Sequence, residues 1–152
     1  MEKSSKYIVF QLNDQAFGVN VKQISSIERL QNITKLPRTR TFIKGIINHR
    51  GETTPVIDLK ARLDMDEKQT TEDNRFLIVQ MDNMQVGLLV DAATEVIDIH
   101  STIIKPAPEI IGEEKETFIE GIAKFENRVL TLLDLQQILD FNETNEVKEI
   151  VG

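Results

Sequence analysis

Few side chains in this sequence have the types and spacing that catalysis or metal binding requires. The histidines His49 and His100 lie far apart and cysteine is absent, so neither a His/Cys zinc site nor a thiolate nucleophile is indicated. Asp58 and Asp134 could act as a pair of carboxylates, but an aspartate at the start of a short helix is typical of an N-cap. No nucleophile elbow, Walker motif or dinucleotide-binding glycine motif occurs. By elimination, the sequence favours a binding module over an enzyme.

Arg50 is the clearest candidate for a binding residue. It precedes Gly51 between two runs with the apolar alternation of a strand, residues 43–48 and 54–57. The pair Arg50-Gly51 therefore falls at the tip of a predicted hairpin. A hairpin tip presents its side chain to a partner or to solvent rather than to the core. Both a binding role and an ordinary exposed cation are compatible with this position.

The stretch that carries Arg50 occurs twice in the chain. Residues 45–63 match residues 121–139 without a gap, and residues 10–21 match residues 79–90 in the same way. The chain thus has the order A, B, A′, B′. Unit A is a hairpin with a follow-on segment, and unit B is a hairpin followed by a short helix that Asp58 or Asp134 would cap.

Four hairpins and two short helices predict an all-β fold. The predicted turns are Asn13-Asp14, Arg50-Gly51, Asp82-Asn83 and Glu126-Asn127. Each turn contains at least one Gly, Asn or Asp, the residue types that reach positive φ at low cost. Each half is too small to be robust alone, so we expect two similar small barrels that pack together or exchange strands and leave a groove between them. Pro55 predicts an edge strand or a bulge. Residues 22–30 fit either a strand or a helix.

Length and composition limit the number of domains and the classes of partner. The 152 residues suit one domain with two barrel subdomains, which we place at residues 4–142 with a seam near 64–74, followed by an acidic tail at 143–152. The net charge of −7 disfavours nucleic-acid and membrane-surface binding. With no apolar run long enough to span a bilayer and no signal-like N-terminus, we expect a soluble cytoplasmic protein.

Three segments carry a resemblance to a known family. They are FIKGIINHRGETTPVIDL at residues 42–59, VGLLVDAATEVIDI at 86–99 and IKPAPE at 104–109. In this order they resemble the CheW family of chemotaxis coupling proteins, across nearly the whole chain. The resemblance implies two intertwined five-stranded SH3-like β-barrels. Two positions depart from the family pattern, since His49 stands where leucine is usual and Ser26 stands where some members carry a glutamate.

The resemblance also implies a role. The chain would be a non-enzymatic adaptor, without cofactor, that couples the cytoplasmic tips of methyl-accepting chemoreceptors to the regulatory domain of the CheA histidine kinase. It would be a monomer in isolation, cytoplasmic and recruited to receptor arrays at the inner face of the membrane, with no direct insertion and no nucleic-acid partner. The alternatives are a β-barrel binding module for another ligand and an adaptor of a non-flagellar chemosensory pathway.

Site residues follow from the same resemblance, position by position. The residues expected to contact the receptor are Gly45, Asn48, Arg50, Gly51, Gly87 and Val96. Those expected to face the kinase are apolar, namely Ile8, Val21, Ile24 and Ile27.

Overall fold

The structure is a computed structural model, and it describes residues 3–37, 42–66, 70–81, 83–106 and 118–139. The described part is mostly strand with a few short helices, as predicted. Its strands are β1 (Ser4–Leu12), β2 (Gln15–Asn20), β3 (Ser26–Arg29), β4 (Ile43–His49), β5 (Glu52–Asp58), β6 (Arg75–Met81), β7 (Met84–Val90), β8 (Ala92–His100), β9 (Ile104–Lys105), β10 (Ile119–Phe125) and β11 (Arg128–Leu133). The one-turn helices α1 (Leu59–Arg62) and α2 (Leu135–Ile138) follow β5 and β11.

The predicted hairpin turns are present. Three of the two-residue turns have positive φ at both residues, as type I′ turns require: Asn13 and Asp14, Arg50 and Gly51, and Glu126 and Asn127. Asn83, in the turn between β6 and β7, also has positive φ; Asp82 lies outside the described residues. The short helices are capped as expected, since Asp58 Oδ1 accepts from Lys60 N at 3.0 Å and Asp134 Oδ1 from Gln136 N at 3.1 Å.

The strands form two sheets in which the halves of the chain are exchanged. One sheet has the order β8-β1-β2-β11-β10-β9 and the other the order β3-β6-β7-β5-β4. Each sheet joins an A hairpin to a B hairpin through a parallel pair, β2 with β11 and β5 with β7. The follow-on strands cross over, because β3 pairs with β6 and β8 pairs with β1. The all-β class and the duplication are therefore confirmed.

Both faces of the central strands are buried, which gives three apolar layers. The largest cluster lies between the sheets and takes side chains from both of them, including Phe10, Val19, Leu77 and Leu88. Smaller clusters cover the outer face of each sheet, one around Val9, Leu130 and Leu132 and the other around Val56, Phe76 and Ile78. The groove expected between the halves of the chain stays a prediction.

Hydrogen bonds and an ion pair connect the two halves of the chain. Asp91, between β7 and β8, pairs with Lys60 of α1 at 2.6 Å and accepts from the backbone of Asn13 at 2.7 Å. In a second contact, Gln23 donates to the cap Asp134 at 3.0 Å and accepts from the first amide of α2 at 2.9 Å. Since both contacts join segments distant in sequence, they fix the turn and helix ends that flank the shared core.

Two sequence interpretations are resolved by strand pairing. β5 is hydrogen-bonded on both sides, so the prediction that Pro55 marks an edge strand is wrong. The register irregularity lies instead in the facing strand, between Ile43 and Gly45. Residues 22–30 are not a single element: the 3-10 turn Val21–Gln23 runs into their start, and β3 follows.

Other sequence predictions stay predictions. These are the closure of each sheet into a five-stranded barrel and the domain bounds at 4–142 with a seam near 64–74. The acidic tail at 143–152 lies outside the described residues.

Gly45 is required by a close backbone approach. Its φ is +148°, and a Cβ there would lie 2.1 Å from Thr34 O. Thr34 bonds to Ile46 through both backbone groups, at 2.9 Å each. At the equivalent Gly121, a Cβ would lie 2.7 Å from Lys105 O. The repeated glycine therefore admits a short segment of chain against the outer edge of each B hairpin.

Replacing Gly45 by alanine should destabilise the protein strongly. We expect Gly45→Ala to lower the free energy of unfolding by about 3 kcal/mol, because the new methyl group collides with backbone at a φ that L-residues avoid. The control is Gly51→Ala, where a Cβ meets nothing within 4 Å and only the left-handed backbone costs about 1 kcal/mol. Urea unfolding of both variants measures the difference, and equal losses would contradict the role given to Thr34.

Tyr7 links β1 to β10 inside the first sheet. Its hydroxyl donates to Glu120 Oε1 at 2.8 Å, and its side chain is buried. Burial, then the hydrogen bond to Glu120 and the charge of that carboxylate, raises the pKa of Tyr7 to about 12. The phenol is thus held neutral where an unfolded chain would have lost its proton.

This raised pKa predicts a loss of stability at alkaline pH. Because the folded pKa lies above the unfolded value, the contribution is complete below about pH 10 and is lost as the pH rises from about 10 to about 12, at a cost of about 2 kcal/mol. Urea unfolding across this pH range should show the decrease in unfolding free energy in the parent protein and a smaller decrease in Tyr7→Phe. Tyr7 is the single tyrosine, so tyrosinate absorbance reports its titration directly; a midpoint near pH 10 would contradict the assignment.

Candidate functional site

The Arg50-Gly51 turn projects from the end of the second sheet. Arg50 has φ 54° and Gly51 has φ 80°, and both residues are exposed. Asn48 is also exposed, and its Oδ1 accepts from the Gly51 amide at 3.0 Å. The expected contact residues Asn48, Arg50 and Gly51 therefore form one small surface, on which the guanidinium supplies the charge.

The two departures from the family pattern lie beneath the surface. His49 is buried, and its backbone carbonyl accepts from Gln85. The hydroxyl oxygen of Ser26, on β3, is buried without a hydrogen-bond partner in the described part of the chain. Neither side chain adds an exposed polar group, so the exposed charges at this turn are Arg50 and the neighbouring Glu52.

Two of the glycines expected at the receptor site are interior. Gly45 packs against Thr34, as described above, and Gly87 is a buried residue of β7 that pairs with Val56 of β5. A Cβ at Gly87 would lie 3.5 Å from Ile78 Cδ1, which is ordinary contact. The structure therefore places both residues in the frame that holds the hairpin, rather than on its surface.

Val96 lies on the other sheet from Arg50. It is 54% exposed on β8 and pairs with Ile8 of β1. Ile27, which is 40% exposed on β3, pairs with Leu77 of β6. The two arrangements are equivalent in the duplication, because residues 25–30 correspond to residues 94–99 and Ile8 to Leu77. Directly paired residues share a sheet face, so Val96 and Ile27 each extend the shared core outward at an edge strand.

The remaining expected kinase contacts are less exposed than Ile27. Ile8 is buried in the core between the sheets, while Val21 and Ile24 are partly buried and pack against that core. Val21 belongs to the 3-10 turn before β3. The four residues thus run from the interior to the edge, and Ile27 is the one with most surface available to a partner.

The described residues do not assemble a metal centre. No group of three or more His, Cys, Asp or Glu side chains in the described ranges could hold a metal ion. Asp58 and Asp134 each cap a different helix. A cleft of about 510 Å³ lies between the end of β8 and the tip of the β10–β11 hairpin. Its lining mixes Asp98, His100, Ile103 and Lys124, and it lies at the opposite hairpin from Arg50.

Comparison with known proteins identifies the family. The model described as CheW-like domain matches residues 6–143. The chain belongs to the family of CheW-like domains. It is 39% identical over 140 residues to the chemotaxis protein CheW of Bacillus subtilis (strain 168), covering 92% of this chain and 90% of the relative. It is 34% identical over 137 residues to the probable chemotaxis protein CheW of Rhizobium etli, covering 90% and 87%.

A solved structure agrees with this membership. The scaffolding protein TtCheW of Thermoanaerobacter tengcongensis superposes with a TM-score of 0.82 at 35% identity, covering 93% of this chain and 91% of that one. The CheW-like chain therefore shares both sequence and fold with a protein described as a scaffold. No helix in the described part of the chain is long and apolar enough to cross a membrane.

Proposed function

We propose that this CheW-like protein is a non-enzymatic scaffold that couples the cytoplasmic tips of transmembrane chemoreceptors to the regulatory domain of the histidine kinase CheA. The observation that carries the proposal is membership of the CheW-like family along residues 6–143. The chemotaxis names of the relatives and the scaffold description of the solved neighbour support it. The protein would work in the cytoplasm at receptor arrays.

Two separate surfaces suit a coupling role. One is the exposed turn with Arg50, whose guanidinium is a charged anchor for a receptor helix that lies along the margin between the sheets. The other is the apolar edge at Ile27, with Val21 and Ile24 behind it, which suits an apolar contact on the kinase. Val96 forms the equivalent edge on the first sheet, and we assign it to the receptor.

Coupling on such a frame requires no covalent chemistry. A receptor can shift the activity of the kinase only if the scaffold binds one signalling state better than another. A protein with two surfaces on a single packed core can transmit such a difference in contacts. The proposal therefore requires that each surface can be disabled without loss of the other.

Reversing the charge at Arg50 tests the receptor surface. We expect Arg50→Glu to weaken binding of a chemoreceptor cytoplasmic fragment from the same cell by at least about tenfold, because a charged anchor becomes a like-charge or unpaired group. The matched control is Glu126→Lys, a charge reversal in the equivalent turn of the other B hairpin, which should change the affinity by less than about twofold. Calorimetric titration measures both, and an unchanged affinity for Arg50→Glu would refute the anchor.

The equivalent edge residues Ile27 and Val96 allow a crossed test of the two surfaces. We expect Ile27→Asp to weaken binding to the CheA regulatory domain by about tenfold and to spare the receptor fragment, and Val96→Asp to do the reverse. Both side chains are exposed, so neither variant should unfold the protein. Titration of each variant with each partner, together with receptor control of kinase autophosphorylation, gives the readout. If both variants lost affinity for the same partner, the assignment of Ile27 to the kinase and Val96 to the receptor would be contradicted.

A further inference from the structure

Gln85, on β7, contacts both strands of the hairpin that carries Arg50. Its Nε2 donates to His49 O on β4 at 3.4 Å and to Thr54 Oγ1 on β5 at 3.2 Å. A carboxamide nitrogen carries two hydrogens, so one group can make both bonds. Glutamine on a strand belongs to no sequence motif, so sequence reasoning does not single this residue out.

Thr54 extends the contact to the far side of the turn. Its hydroxyl donates to Glu52 O at 3.1 Å, and a hydroxyl can accept one hydrogen bond while it donates another. Thr54 is fully buried. His49 and Glu52 are the last pair of the β4–β5 ladder and directly flank Arg50-Gly51. Gln85 therefore restrains the chain immediately before the turn and, through Thr54, immediately after it.

The Arg50-Gly51 turn has a backbone conformation that needs support from its surroundings. Arg50 has φ 54°, a conformation that costs energy for a residue other than glycine and persists where the surroundings determine it. Asn48 contributes a second restraint, since its Oδ1 accepts from the Gly51 amide at 3.0 Å. The turn is thus held from β4, from β5 and from the neighbouring hairpin.

The duplicated hairpin provides an internal comparison. In the matching positions, Lys124 replaces Asn48, Leu130 replaces Thr54 and Ala16 replaces Gln85, so none of these side-chain bonds can form there. The Glu126-Asn127 turn nevertheless has positive φ at both residues. The bonds are therefore not needed to make a turn of this type. Their presence at the Arg50 turn, and not at the equivalent Glu126 turn, points to a need for fixed geometry at Arg50.

We propose that Gln85 is a positioning residue for partner binding. Its carboxamide, through His49 O and the Thr54 hydroxyl, holds the Arg50-Gly51 turn in the conformation that presents the guanidinium to the receptor. This inference rests on the proposed function, in which Arg50 is the receptor anchor. Restraint in the free protein raises affinity because less conformational freedom is lost on binding.

The test removes the hydrogen-bond donor and keeps the size of the side chain. We expect Gln85→Met to weaken binding of the receptor cytoplasmic fragment by about threefold to tenfold, with the affinity for the CheA regulatory domain unchanged. The matched control is Gln80→Met, since Gln80 is the exposed cross-strand partner of Gln85 on β6; it should bind as the parent does. If Gln85→Met fails to fold, Thr54→Val removes the hydroxyl that bonds to Gln85 and to Glu52 O and keeps the shape of the side chain.

A double-mutant cycle separates positioning from a general structural effect. If Gln85 acts through Arg50, Gln85→Met should weaken receptor binding in the parent and have no further effect in an Arg50→Ala background. Amide exchange at Arg50 and Gly51 should accelerate in Gln85→Met, while exchange at Glu126 and Asn127 stays as in the parent. An equal loss of affinity in both backgrounds would overturn the inference, because Gln85 would then act through another surface.

The cycle also distinguishes failure of the inference from failure of the proposed function. If Arg50→Ala weakens receptor binding and Gln85→Met does not, the inference is wrong and the receptor anchor stands. If Arg50→Ala itself leaves receptor binding unchanged, the anchor is wrong, and the positioning role falls with it.

Discussion

The fold depends on the apolar core that the two sheets share. Phe10 and Val19 from one sheet and Leu77 and Leu88 from the other belong to a single buried cluster. Neither sheet can bury this face alone, and neither half of the sequence supplies a whole sheet, because the follow-on strands β3 and β8 pair with the opposite half. Exchange thus turns two halves, each too small for a robust core, into one cooperative unit.

Duplication gives this unit two equivalent hairpin tips and two equivalent edge strands. The edges keep similar chemistry, with exposed Ile27 and Val96 beside buried core residues. The tips diverge, since Arg50 faces solvent at one and Glu126 at the other. A symmetric frame can therefore present different surfaces to different partners, because backbone geometry is set by the repeat while recognition is set by a few side chains at its ends.

The same frame explains why some of the residues expected to contact a partner are interior and serve the fold instead. Gly45 is needed because Thr34 O approaches where a side chain would stand, and Ile8 belongs to the shared core. Substitution of such residues would disturb function through the fold. Arg50, Ile27 and Val96 are different, because their side chains reach solvent from strands and turns that the core already holds in place.

The sequence by itself determined the all-β class, the duplication, the positive-φ turns and the capped one-turn helices, because these depend on local residue types and on a repeat that needs no gap. It also placed Arg50 at a hairpin tip. Only the tertiary structure decided that Pro55 lies in an interior strand, that the follow-on strands cross between halves, and that Gln85 and Thr54 brace the Arg50 turn. Those features depend on pairing between residues distant in sequence, and apolar periodicity carries no information about which strand becomes the neighbour.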